Sequence, residues 1–160
     1  MTQTAGIALA ILVADCLPIL IADPATKTVA AVHSGWRGTR ARILGKTIRN
    51  MQEAFGCDPL NMLIAIGPAI RVCCYEVGTE VAGKFEAAYP GCRLATPAKP
   101  GRYFLDLRRA LDVQLAESGV PPGNVSDMGG CTRCNSREFH SYRADGERAG
   151  RMMAVIGYCG

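Results

Sequence analysis

Two apolar, β-rich segments, LPILIA (17–22) and TVAAV (28–32), are joined by Asp23-Pro24-Ala25-Thr26-Lys27, and this run limits the fold more than any other part of the chain. Proline and aspartate in so short a connection signal a turn between antiparallel strands. Directly opposed residues in such a hairpin have position numbers with a constant sum, which is odd when the loop holds an even number of residues. The positions of Cys16 and His33 add to an odd number, so an even loop puts both on one face, directly opposite or on a near diagonal. A thiol and an imidazole meeting at a strand end can share a metal or act as nucleophile and base. Taken singly, each also fits a plainer role, Cys16 as a small buried hydrophobe and His33 as a hydrogen-bonded strand-end residue.

The segment after His33 favours the chemical reading. Ser34-Gly35-Trp36-Arg37-Gly38-Thr39 sets two glycines around an aromatic ring and a cation, ahead of a segment with helical periodicity. A strand, a glycine-bearing turn and a helix start form an anion site, because free N–H groups at a helix N-terminus attract negative oxygens. Arg37 adds a bidentate phosphate or carboxylate contact. Gly35, Trp36, Arg37 and Gly38 are therefore candidate substrate-binding residues.

A chain of 160 residues forms one domain with a core that needs no covalent staples. Its eight cysteines are spread through an apolar sequence, below the density of a disulfide scaffold, and read as reduced and cytoplasmic. Cys131-Thr132-Arg133-Cys134 is a single CxxC without a second to complete a zinc ribbon, and Cys73-Cys74 reads as packing. Residues 5–22 resemble a leader ending at Cys16. The uncharged start, Asp15 before the would-be cleavage point and the interruption by Asp15 and Pro18 argue instead for two buried strands, with no membrane span. The net charge of +4 comes largely from Arg37, Arg40, Arg42, Lys46 and Arg49 around one helix, which draw an anionic small molecule or simply form a solvated face. Ten aromatics and no basic tail exclude nucleic acid as a partner.

Residues 39–55 read as one amphipathic helix with Leu44, Ile48, Met51 and Phe55 on a stripe, stopped at Gly56. Met62 to Ile66 is a short buried strand. Val81, Phe85 and Tyr89 mark a second helix over 79–89. Asp106 caps a third over 107–118, with Leu107, Leu111 and Leu115 inward and Gly119 as its stop. Strands come next at 125–131, 139–143 and 152–158. In the middle one Phe139, Ser141 and Arg143 share a face, and Arg143 with Arg151 can supply cations to a ligand. Strands at both ends with helices between them imply a layered α/β sandwich with a mixed sheet.

The blocks ADCLPILIADP, AVHSGWRG, IGPAIRVCCYEVG, LDL at 105–107, and CT followed by FHSYR and GR resemble, in order and over the whole chain, the YfiH or laccase-domain family, formerly described as multicopper polyphenol oxidases. The resemblance implies a YfiH-like α/β sandwich of the cytotoxic-necrotizing-factor-like cysteine hydrolase architecture. It also implies a zinc-dependent purine nucleoside phosphorylase that splits adenosine, inosine or methylthioadenosine with phosphate, with adenosine deamination in some members. Family members bind the metal through one cysteine and two histidines. Cys16 and His33 match two of these, while the third lies in a QxHG-type motif ahead of the ADC block. No such motif stands in this sequence, which therefore reads as an N-terminally truncated member, and a second copy of the chain could cover the exposed sheet edge as a homodimer. Ala144 stands where the family often has another arginine after SYR. Three alternatives remain: a metal-free Cys16/His33 hydrolase or amidase fitting the family's link to peptidoglycan editing, a copper phenol oxidase, for which two histidines are too few, and an inactive module.

Overall fold

In the computed structural model, which describes residues 1–159, β1 (Ala8–Val13) leads into β2 (Leu17–Asp23), and β2 pairs antiparallel with β3 (Thr28–Ser34). Asp23 lies opposite Thr28 and Pro18 opposite His33, so the hairpin forms with residues 24–27 as its even-numbered turn. Asp23 Oδ1 accepts the N–H groups of Ala25 and Thr26 at 2.9 and 3.2 Å, which fixes the turn. On its other edge β2 pairs antiparallel with β4 (Leu63–Ile66), and β8 (Val125–Asp127) then runs parallel to β4. The result is the expected mixed sheet, in the order β3-β2-β4-β8.

One face of this sheet, carrying Leu17, Ile19, Ile21, Ile64 and Ile66, is sealed by helices. Helix α2 (Ile43–Phe55) contributes Leu44, Ile48 and Met51, and α4 (Leu107–Glu117) contributes Leu107, Leu111 and Leu115, all buried in one cluster. Each such side chain fully removed from water is worth roughly 1.5–3 kcal/mol, so this layer is the main source of stability. Asp106 caps α4 as expected, its carboxylate accepting from the N–H of Arg109 at 2.9 Å.

Four local expectations are corrected. The single helix over 39–55 is instead α1 (Trp36–Arg40) and α2, broken at Arg42, whose backbone is left-handed with φ 59°. The break has a buried cause: Gln114 Oε1 accepts the N–H groups of Leu44 and Gly45 at 3.1 and 3.2 Å, capping α2, and Gln114 Nε2 donates to the Tyr89 hydroxyl at 2.7 Å. The run 5–22 yields one buried strand, not two. β1 forms a two-stranded ribbon with β9 (Met152–Gly157), and Leu12, Met153 and Val155 are exposed on it. The strand expected over 125–131 ends at Asp127. Residues 139–143 are not a strand: Ser141 caps a short helix, α5 (Tyr142–Asp145), by accepting the N–H of Ala144 at 3.2 Å, so strand alternation does not govern where Arg143 points.

A second, smaller sheet was not expected. β5 (Glu76–Gly78), β6 (Ala95–Lys99) and β7 (Arg102–Leu105) form it in the order β5-β7-β6, beside α3 (Thr79–Ala88). Pro100-Gly101 makes its tight turn, with Gly101 at φ 71°.

Candidate active site

The hairpin register decides where the thiol and the imidazole sit. His33 pairs with Pro18 on β2, and Cys16 stands in the bend immediately before β2 begins at Leu17. Cys16 and His33 both line one cavity of about 320 Å³ at the end of the hairpin. Gly35 faces Cys16 across this end. A Cβ on Gly35 would stand 2.9 Å from Cys16 Sγ, so glycine is what lets the turn approach the sulfur.

The first turn of α1 closes the second side. Gly35, Trp36, Arg37 and Gly38 all line the cavity, and the Arg37 guanidinium lies 4.5 Å from the Trp36 ring centroid. Lys84 approaches the same ring at 5.9 Å. Arg37 is the only cation among the lining residues.

Two polar lining residues, Asp15 and Tyr75, were not read as site residues in the sequence. Asp15 holds a left-handed backbone at φ 79°, a conformation non-glycine residues adopt at a cost when the surroundings over-determine it. Here they do. Asp15 Oδ1 accepts from Thr132 Oγ1 and Oδ2 from the N–H of Arg143, both at 2.6 Å, while its carbonyl accepts the N–H of Ile70 at 2.9 Å. Asp15 thus ties the hairpin to two distant loops. Burial pushes the Tyr75 hydroxyl up to about 12; the nearby Cys16 and Asp15 add to the rise, and Arg143 and Arg37 oppose it. It stays a neutral hydrogen-bond donor at any ordinary pH. Its local signal was only a tyrosine after Cys73-Cys74, which periodicity does not mark.

Arg143 does not line the cavity. Its guanidinium lies over the Tyr75 ring, 5.2 Å from the centroid, and donates to the Glu76 carbonyl at 2.9 Å, so it backs the wall that Tyr75 forms. Arg151 donates to the carbonyls of Ala149 and Gly150 and is likewise outside. His140 packs on Gly150, where a Cβ would come within 2.6 Å of its ring. Cys16 is pushed up from its ordinary value, chiefly by burial and then by the charge of Asp15, so the free thiol carries little thiolate.

Cys73 and Cys74 are not packing residues. Cys73 is exposed, Cys74 half-buried, and both face Cys134, with Sγ–Sγ distances of 3.7 and 3.4 Å.

A layered α/β protein with a Cys–His pair at the open end of a central hairpin is what the fold and cavity define. The chain belongs to the family described as multi-copper polyphenol oxidoreductase laccase, which it matches over residues 1–159. It is 38% identical over 159 residues to a protein of Geobacillus stearothermophilus named purine nucleoside phosphorylase YlmD, covering 98% of this chain and 58% of that one. A Deinococcus radiodurans protein named purine nucleoside phosphorylase is 41% identical over 156 residues, covering 98% and 59%. The crystal structure of Bacillus licheniformis YfiH superposes with a TM-score of 0.92 at 32% identity, covering 98% of this chain and 59% of that chain, which bears out the YfiH-like fold. The chain thus spans less than two thirds of the length of these relatives. No helix among the described residues is long and apolar enough to cross a membrane.

Proposed function

We propose that this chain carries the cavity of a cytoplasmic purine nucleoside phosphorylase, acting on adenosine, inosine or methylthioadenosine with phosphate. The observation that carries the reading is that Cys16, His33 and the Gly35-to-Gly38 turn line one cavity in a chain that aligns over nearly its whole length with proteins bearing that name. Phosphorolysis builds positive charge on the ribose and negative charge on the departing purine, so the site must hold an anion and donate towards the base. On this reading Arg37, in the cavity lining, holds phosphate, and the neutral Tyr75 hydroxyl donates a hydrogen bond. Trp36 offers an apolar ring for the flat substrate.

The residues present fit a zinc ion in part. A thiolate and an imidazole are donors zinc accepts, and a catalytic zinc takes three protein ligands. Cys16 and His33 supply two; the Asp15 carboxylate is committed to Thr132 and Arg143, and His140 lies away from the cavity. Zinc held there would polarise the substrate or activate water for deamination of adenosine. Copper is the weaker choice, because two histidines cannot furnish several copper centres. The metal-free Cys16 hydrolase is disfavoured by the raised thiol.

Incubation with adenosine, phosphate and zinc, followed by separation of products, tests the reading. Adenine and ribose 1-phosphate should appear in equal amounts and in proportion to phosphate. Purine release that ignores phosphate, or inosine as the sole product, overturns it.

A further inference from the structure

We propose that Cys73, Cys74, Cys131 and Cys134 form a second metal site, a structural tetrathiolate that takes zinc. The four Sγ atoms lie within 4.8 Å of one another. Four sulfurs about 2.3 Å from a tetrahedral zinc stand about 3.8 Å apart, and the two closest contacts to Cys134 are 3.4 and 3.7 Å. A disulfide requires about 2.0 Å between sulfurs, and all four are free thiols.

The backbone is arranged for thiolates as well. Cys131 Sγ, at the head of its CxxC turn, accepts the N–H of Arg71 at 3.4 Å. Amide donors of this kind offset the negative charge that four sulfurs bring to a divalent ion. The topology supplies the meeting. β4 and β8 run parallel, so the loops leaving them emerge side by side, and an Ala69–Cys131 bridge continues the pairing. One loop carries Cys73-Cys74 and the other Cys131 and Cys134. Ligation replaces four S–H bonds by four metal–sulfur bonds and releases four protons, leaving a site of net charge −2.

The site lies behind the cavity wall. Cys74 precedes Tyr75, and Thr132, between the CxxC cysteines, donates to Asp15. A metal here clamps together the two loops that hold Asp15 and Tyr75 in place.

The test uses the whole chain carrying Cys16→Ala and His33→Ala, so that the cavity pair cannot contribute, kept reduced and titrated with Co²⁺. One equivalent should give the intense visible bands and sulfur-to-cobalt charge transfer of a tetrahedral tetrathiolate, and one equivalent of Zn²⁺ should bleach them. Adding Cys131→Ser and Cys134→Ser should abolish the signal. Because these variants can fail to fold, alkylation of the unaltered chain is followed by mass spectrometry with and without Zn²⁺. Cys73, Cys74, Cys131 and Cys134 should be slowed at least tenfold by zinc, and Cys92 and Cys159 unaffected. Cobalt bound without thiolate charge transfer, or zinc that leaves the four alkylation rates unchanged, overturns the proposal.

Discussion

Two places in this molecule gather sulfur, and they differ in every respect that matters to a metal. The cavity pair mixes a thiol with an imidazole, two side chains that line an open cavity beside a cation and a tyrosine. The cysteine cluster, a knot of four free thiols, brings four identical donors within 4.8 Å of one another, with the Arg71 amide donating to one of them. Incomplete, mixed donor sets leave positions for substrate, whereas closed sets of four thiolates hold loops. Chemistry and stability should therefore separate between the two places when each is mutated.

The sharpest separation comes from His33→Ala. Its product formation should fall on the order of 10²–10⁴-fold, as removal of a group acting on the reacting atoms does. Its midpoint in urea should stay within the range of a surface change, since His33 is exposed. A variant that keeps its rate, or that unfolds, would break the assignment of chemistry to the cavity.

Asp15 joins the two places, and Asp15→Ala should cost about 2–4 kcal/mol in urea unfolding, because two charge-assisted hydrogen bonds are lost and the Thr132 hydroxyl is left buried without a partner. Asp15→Asn keeps the side chain's tolerance of positive φ and its acceptor oxygen, and should cost less than half as much. Equal losses in the two variants would show that the charged carboxylate with both its acceptor oxygens, and not the backbone conformation that asparagine tolerates, makes the link.

Zinc removal acts on the knot. With zinc at a hundredfold excess over its dissociation constant the chain should gain about 2.7 kcal/mol, and chelation should take that gain away. Cys131→Ser with Cys134→Ser should make stability indifferent to zinc. His33→Ala should leave the zinc-dependent gain intact, which sharpens the contrast from the opposite side.

The unequal legibility of the two places has a physical origin. His33 lies on the hairpin and Cys16 in the bend that leads into it, so residues seventeen positions apart meet at one cavity through a turn that the local sequence marks. The knot joins residues about sixty positions apart, and only the parallel β4–β8 pairing brings them together, a contact that no local period encodes. Vicinal cysteines and a lone CxxC were each weak signals taken separately. The same distinction holds elsewhere. Helices α2, α3 and α4 were readable from their apolar stripes, α2 and α4 also from the glycines behind them, and α4 from its Asp106 cap. The break at Arg42 was hidden, because arginine is no helix breaker and its cause, Gln114, lies on another helix. Residues 139–143 alternate like a strand, yet Ser141 and Asp15 provide hydrogen bonds that only a turn can use.

Gly35→Ala probes the cavity at smaller amplitude. The added methyl would meet Cys16 Sγ at 2.9 Å and force the sulfur or the turn to move by several tenths of an ångström. Stability should drop by only about 1 kcal/mol, since the site is at the open end of the hairpin. The rate should drop about tenfold, because a displacement of that size spoils the alignment of reacting groups. An unchanged rate would mean that the thiol's position does not matter, and the cavity would lose its claim to the chemistry.

The smallest effect is expected next to the knot, at Asp127. Its carboxylate accepts from Arg71 at 2.6 and 3.1 Å and from Arg108 Nε at 2.6 Å, and the N–H of Gly129 adds a fourth bond. Burial pushes the carboxyl up, but the bonds from Arg71, Gly129 and Arg108 outweigh it and hold the group at about 2, below the ordinary 3.8. A carboxylate depressed in this way contributes its full stabilisation above its ordinary value, and loses it as pH falls from there through about 2. The group is partly open to water, so the contribution is discounted to about 1 kcal/mol. On chelated protein, where thiolate protonation plays no part, Asp127→Asn should lower stability at pH 6 and match the unaltered chain near pH 2. If the two curves stay parallel down to that pH, the Arg71–Asp127 contact holds the knot's flank by shape and not by charge, and the cysteine loop is then positioned by its sulfurs alone.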